Sequence, residues 1–314
     1  MSRRAWLAFA GCSLVWGIPY LFIRIAVRGG MPPAVLAFSR VAMAALVLLA
    51  LAARAGTLGQ LRGHGRAVIG YGVAEICIPF PLIAAGEEKV SSSLAAIIIA
   101  SVPLIGALLA IRFDHSERPT PVRALGLLIG FAGVIVLMGL DVAGHSGELL
   151  GAGAILIGAV GYAVGPMVLK LALGGIDARA MMGASLAAAS VVLAVPAGLS
   201  LPMRTPTTGA VASVVVLGLV CTAAALLILT VLVREAGTAR AMVITYINPV
   251  IAVGLGVALL GEQPGPGAVA GLLLILAGSW LSTGGRLPPL RRPAAGRRHA
   301  RPGLTVDGAP ARRN

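Results

Sequence analysis

Apolar stretches of about 20 residues, each long enough to cross roughly 30 Å of hydrocarbon as a helix, succeed one another through nearly the whole chain. Inside a bilayer every backbone N–H and C=O must find its partner within the protein, so spans of this kind are helices. Of the 314 residues 58% are hydrophobic and only 11% are charged, too little polar surface for a soluble domain. The sequence predicts an all-α integral membrane protein with ten transmembrane helices at 6–28, 33–53, 66–85, 92–111, 121–140, 148–170, 178–201, 209–232, 239–260 and 266–284. The first run, after a short basic start, exceeds the length of a signal-peptide core and lacks a credible cleavage site, so it reads as a retained span. Pro32-Pro33, Pro119/Pro121, Pro202/Pro206 and Pro264/Pro266 mark corners, where a missing N–H costs little at a helix start.

One plan occurs twice. An apolar run carrying Pro103 leads to the corner Glu117-Arg118-Pro119-Thr120-Pro121, then to a run with Gly126, Gly130 and Gly133. An apolar run carrying Pro249 leads to Glu262-Gln263-Pro264-Gly265-Pro266, then to a run with Gly271 and Gly278. Further forward, Trp16-Gly17 and Arg24-Ile25-Ala26 align with Tyr162-Ala163 and Lys170-Leu171-Ala172 at one constant offset. The chain divides into a cytoplasmic N-terminus at 1–5, a first five-helix repeat at 6–140, a second at 148–284, and a basic tail at 285–314 expected to be disordered. Five spans is an odd number, so the second repeat enters the membrane upside down and the repeats have inverted topology. The Glu117 corner is expected inside and the Glu262 corner outside.

Charge placement orients the protein. With the N-terminus inside, the inner segments hold Arg3, Arg4, Arg54, Arg62, Arg66, Arg112, Arg118, Arg123, Lys170, Arg179, Arg234 and Arg240, against Arg28, Lys89 and Arg204 outside. The bias puts both termini in the cytoplasm of a multi-pass cell-membrane (inner-membrane) protein. The net charge of +14 therefore reflects loops and tail, and no nucleic-acid partner is expected. The tail arginines suit the anionic cytoplasmic leaflet. Cys12, Cys77 and Cys221 lie inside apolar runs, without disulfide or metal spacing. Gly126/Gly130, Gly161/Gly165 and Gly267/Gly271 have the spacing that lets helices approach closely.

These features resemble the drug/metabolite transporter superfamily, in its ten-span branch built from two EamA domains. The matching pieces are Trp16-Gly17, Pro33, Arg40 and the stretch Ser91 to Pro103. In the second copy they are Ala236-Gly237-Thr238-Ala239, Tyr246-Ile247-Asn248-Pro249, Gly261-Glu262 and Gly271 to Gly278. The resemblance covers residues 6–284. It implies ten helices, cytoplasmic termini and a central cavity whose access alternates between faces. Two features depart from it: Glu75, inside the third span, and the charged loop Glu87-Glu88-Lys89.

Ionisable residues within spans are costly and mark function by default. Arg40 and Glu75 lie at depths that differ by about 5 Å at 1.5 Å per residue. Two readings stand: a structural ion pair, or Arg40 anchoring a substrate carboxylate with Glu75 as a proton-coupling group. Arg24, near the outer end of its span, reads as snorkelling to the headgroups. Trp16, near mid-span, suits cavity lining or packing, whereas Trp280 suits an interfacial anchor. Tyr246 and Asn248 could offer hydrogen bonds near the midplane, beside a kink at Pro249; alternatively they are satisfied locally. Pro103 is its counterpart in the first copy, and Pro79, with Pro81, bends the third span. Glu117 and Glu262 read as structural carboxylates that complement free N–H groups at helix starts.

The chain carries no phosphate-binding loop, no metal set and no cofactor motif. A membrane enzyme would need a nucleophile–base pair or paired acids within the spans, which the sequence does not supply. The expected activity is secondary transport of a small metabolite, most simply export of amino acids or related amphiphiles by alternating access, coupled to protons. Alternatives are an uptake permease, a lipid-linked flippase, or a non-transporting receptor or scaffold. The expected partners are the small-molecule substrate and membrane lipid, the chain acting as monomer or homodimer.

Overall fold

The computed structural model describes residues 2–113, 120–139, 146–237, 241 and 243–282. Glu117, the segment 238–240 and the tail lie outside the described residues, and with them the expected Glu117 corner and lipid-facing tail.

Prolines and side-chain caps set where several of the helices begin. The first span consists of α1 (Arg3–Gly17) and α2 (Pro19–Arg28). They part at Ile18 because Pro19 brings no N–H to the ladder. The second span is α3 (Pro33–Arg54). The third is α4 (Gly65–Gly72), a π-helical stretch at Val73–Cys77, and α5 (Pro79–Gly86). The fourth is α6 (Ser92–Ile99) and α7 (Val102–Phe113), and α8 (Pro121–Leu137) completes the first half.

The second half opens with α9 (Ser146–Ala172) and α10 (Ala178–Leu199). Then come α11 (Thr208–Val215), a π-helical stretch at Val216–Ala224 and α12 (Ala225–Ala236), forming one continuous run. It ends with α13 (Ile244–Leu260) and α14 (Pro266–Ser282). Among the described residues seven helical stretches have the length and apolarity to cross a membrane, and α8, α13 and α14 are shorter apolar helices. Hydroxyls of Ser2, Ser91, Thr120 and Thr207 each accept a backbone N–H at a helix start, satisfying donors that the helix leaves free.

The exterior is apolar. Leu46, Leu128, Ile135 and Val191 are each at least 70% exposed, as expected of side chains that face lipid. Within, small residues let helices meet. On α8 and α14 a side chain at Gly126 would strike Gly278 and Ser282, one at Gly133 would strike Gly271 and Ile275, and one at Gly278 would strike Gly130. This glycine seam joins the last helix of each half.

The halves share a contact plan. The first span packs on α12 and α13, and α9 packs on α5, α6 and α7. α3 lies against α10, and α6 against α13. Three contacts tie the halves at the end of the molecule that carries Gly30, here the Gly30 face. The Thr207 N–H donates to the Gly29 carbonyl at 3.0 Å, α2 reaches α13, and Glu262 reaches the start of α6. The opposite, Ser2 face is held by the Ser2 hydroxyl donating to Glu235 at 2.7 Å.

Candidate functional site

Arg40 is a charge buried inside the bundle, 6% exposed. α3 carries it inward, and its Nη2 donates to Thr222 Oγ1 at 3.1 Å. Thr222 sits in the π-helical stretch of the second half, and its hydroxyl donates to the Leu217 carbonyl at 2.8 Å. A π turn displaces the regular i−4 pairing, which suits a hydroxyl turned to a functional group. The guanidinium lies 4.1 Å above the centre of the Phe80 ring, an attraction that strengthens away from water. Its Nε is buried without a partner.

The Arg40–Glu75 ion pair, one of the two readings of these residues, does not form. Phe80, on the same span as Glu75, occupies the place beneath the guanidinium. The π turn at Val73–Cys77 instead directs Glu75 to α9. There its carboxylate lies in a notch left by Gly165, where any side chain would collide with it. Glu75 Oε2 is buried and has no hydrogen-bond partner. Tyr162 links the two regions: its ring meets Phe80 edge-on at 6.4 Å, and it lies within electrostatic reach of both Arg40 and Glu75. Tyr20, on the first span, lies within electrostatic reach of Arg40. The site thus draws on α3, the third span, α9 and the π stretch of the second half.

Arg24 does not snorkel. Its Nη1 donates to the main-chain carbonyl of Glu87, because the side chain is half-buried among α2, α5 and α6 rather than turned out to lipid.

Trp16 is partly buried against Cys12, Leu232, Ala241 and Ile244, on the Ser2 side of the Pro19 bend. Tyr246 and Asn248 reach neighbouring helices. The Tyr246 hydroxyl donates to the Ser279 carbonyl on α14 at 3.3 Å. The Asn248 amide, with its NH2 turned inward, donates to Ile244 O at 2.9 Å and to Ser13 O on α1 at 3.1 Å. Pro249 lies inside α13, Pro103 in the first turn of α7, and Pro79 at the start of α5.

Glu262 does complement free helix N–H groups, but those of α6 in the other half. Its Oε1 accepts from Ser92 N and Oγ at 2.8 and 2.9 Å, and its Oε2 from Ser93 N and Oγ at 2.9 and 2.6 Å. Gly261, left-handed at φ 65°, ends α13 and turns the chain toward α6. Gly256 leaves the space that the carboxylate fills. Burial pushes the Glu262 carboxyl up, but the bonds from Ser93 and Ser92 prevail and hold it below its ordinary value.

The partners Thr222, Phe80, Tyr20 and Glu87 are not marked by spacing, since nothing local says which helix they will face. Ser92 and Ser93 lie in a conspicuous serine run, but their acceptor is 170 residues away. A groove of about 470 Å³ lies at the Ser2 face between α1 and α12, lined by Arg4, Leu7, Gly11, Ile228, Val231 and Glu235. It shares no residue with the Arg40 cluster. The cluster has the stronger claim to be the site because its charges are buried and incompletely satisfied.

Comparison with known proteins agrees with this architecture. The EamA-like transporter family matches residues 3–139 and again residues 149–284. The chain is 32% identical over 258 residues to the "Uncharacterized inner membrane transporter YedA" of Escherichia coli strain K12, covering 79% of this chain and 80% of the relative. The YedA proteins of strains O6:H1 and O157:H7 match to the same extent. A crystal structure of another protein, 20% identical, covers 90% of this chain and 97% of its own with a TM-score of 0.64, and shares the fold. With its sequence matched twice over most of its length and its helices apolar on the outside, the chain is a multi-pass membrane protein that belongs to the EamA-like transporter family.

Proposed function

We propose that this protein is a secondary transporter that exports a small amphiphilic metabolite of the amino-acid type from the cytoplasm by alternating access, coupled to protons. The observation that carries this reading is Arg40: a buried guanidinium with an unused Nε, flanked by aromatic faces, on a surface built by both halves. Such a group recognises a carboxylate, whose paired oxygens match the guanidinium fork. Phe80, Tyr20 and Tyr162 supply apolar walls for the rest of an amphiphile. Glu75, an unpaired carboxyl deep in the third span, is the group that takes and gives up a proton during the cycle. Trp16, Tyr246 and Asn248 hold α1, α13 and α14 around this centre. Pro79, Pro103 and Pro249 place weak points where the third, fourth and ninth spans bend.

Ten spans as two inverted five-helix repeats, 6–140 and 148–284, support the alternation. Two observations favour this arrangement: the shared contact plan of the halves, and a π-helical stretch in the third span of each. Positive charge in the segments at the Ser2 face favours cytoplasmic termini in the inner membrane, with the basic tail on anionic lipid. The Gly30 face is then external, where Thr207 and Glu262 of the second half bond to Gly29 and to Ser92 and Ser93 of the first.

The test is flux in proteoliposomes. Candidate substrates come from comparing metabolites in and around cells with and without the protein, and each is then measured with and without a proton gradient. Flux that is absent for every candidate, or that persists unchanged in Arg40→Ala, would overturn the reading.

A further inference from the structure

Glu87 is the first residue beyond the third span, and its side chain has no role in the site described so far. It is fully buried, at 0% exposure. Both of its carboxylate oxygens are buried and without a hydrogen-bond partner. Its own main-chain carbonyl holds the nearest guanidinium, that of Arg24, leaving the carboxylate unpaired. A buried carboxylate in this position is costly when ionised, and neutralisation is its usual escape.

The charged and titratable groups around it come from several elements. Tyr20 and Arg24 face it from α2, Arg40 from α3, and Glu262 from the loop after α13. Its own loop supplies Glu88 and Lys89, both exposed. α9 meets this corner with Gly151 and Ile155, neither of which titrates. Glu262 is already satisfied by four donors at Ser92 and Ser93. It has no proton to share, and its charge opposes a second carboxylate nearby. Burial, the largest influence, pushes the Glu87 carboxyl well above the usual carboxylate range; Arg24 and Arg40 pull it back and Glu262 adds to the rise.

We propose that Glu87 is a proton-binding site that links closure of the Gly30 face to the uptake of one proton from that side. Glu87 sits at the Gly30 face, where Arg24 of the first span bonds to its carbonyl and the Glu262 carboxylate of the second half lies within electrostatic reach. When the face closes, the carboxylate loses water and takes a proton. When it opens, water reaches the carboxyl, the proton leaves to that compartment, and the freed anion can pair with Arg24. The ligand is the proton alone: the packed surroundings need admit nothing larger. The inference rests on the alternating-access reading, but concerns the gate rather than the Arg40 centre, and lies 12 residues along the chain from Glu75.

The test reads the gate directly. In a full-length chain with Cys12, Cys77 and Cys221 replaced by alanine, spin labels at Leu149→Cys and Met203→Cys report the separation of α9 from the loop before α11. Both sites are exposed. Distance distributions are recorded in liposomes from pH 5 to pH 9. The open-to-closed ratio should rise with pH by up to about tenfold per unit, the slope for one coupled proton. Glu87→Gln should stay closed throughout, and Glu87→Asp should restore the titration. Glu75→Gln should leave the titration of the gate in place. A flat wild-type profile, or a Glu87→Gln variant that titrates like wild type, would overturn the proposal. Titration at the gate without flux of any substrate would sink the transporter reading and leave this one standing; flux with no titration would do the reverse.

Discussion

Glu262 and Ser93 join the two halves of the protein through a doubled bond, in which Oε2 accepts the Ser93 N–H at 2.9 Å and the Ser93 hydroxyl at 2.6 Å. Oε1 does the same with Ser92. One carboxylate therefore caps a helix that begins 170 residues earlier in the chain. Charge-assisted bonds to a helix start are among the stronger polar contacts in proteins.

Removing that carboxylate should be felt in stability. Glu262→Ala leaves the donors of Ser92 and Ser93 without their acceptor and should cost about 1–3 kcal/mol. Thermal unfolding of the detergent-solubilised protein, followed by size-exclusion chromatography, measures this. Glu262→Gln retains one acceptor oxygen and should lie between the two. A Glu262→Ala protein as stable as wild type would mean that the contact is incidental.

The pH dependence of this cap has a definite sign. Its folded-state carboxyl lies below its ordinary value, so the folded protein binds fewer protons than the unfolded chain as pH falls. The stabilisation is complete above about pH 4.3, the unfolded value, and is lost as pH drops through the folded one. The difference in melting temperature between wild type and Glu262→Ala should hold constant from neutral pH to about pH 5 and shrink below it. A difference that instead grows on acidification would contradict the assignment.

Gly165 and Glu75 should prove coupled. Gly165→Ala puts a methyl group where the carboxylate lies, and overpacking of this kind costs about 1–3 kcal/mol. Shortening the partner, as in Glu75→Ala, clears the space. The double variant should recover part of the loss, with a coupling energy of about 0.5–3 kcal/mol. Additive losses would show that the two side chains do not compete for one notch.

The glycine seam offers a contrast within one protein. Gly278→Val drives a branched side chain into the backbone of α8 at Gly130 and Gly126, and should abolish folded protein. Gly254→Ala meets nothing within 4 Å and should express and melt like wild type, or slightly better. Monodisperse yield after solubilisation distinguishes them.

At the Arg40 centre, Thr222→Val should weaken substrate affinity by about tenfold or less, since one neutral contact to a charge is lost. Arg40→Lys keeps the charge but not the planar fork over Phe80, and should reduce transport more severely. Concentration dependence of flux separates the effects, because the Thr222 change should raise the apparent KM with little change in maximal rate.

Much was legible in the chain because the bilayer simplifies the problem. A span must be apolar, helical and about 20 residues long, so element boundaries, the prolines that break them and the duplicated plan can be read from local pattern. Arg40 and Glu75 stood out for the same reason: a charge inside such a span is rarely neutral to function. The partners of those charges were not legible. Which way a side chain turns depends on local winding, and the π turns at Val73–Cys77 and Val216–Ala224 rotate Glu75 toward Gly165 and Thr222 toward Arg40. No apolar pattern encodes those rotations. The burial of Glu87, the inward turn of Arg24 and the reach of Glu262 to Ser92 and Ser93 likewise come from contacts between segments far apart in the chain. The sequence by itself determined that the chain is helical and what surroundings its helices need, because each apolar run must pair its own backbone in lipid; only their packing decided which polar groups meet and which are left without a partner.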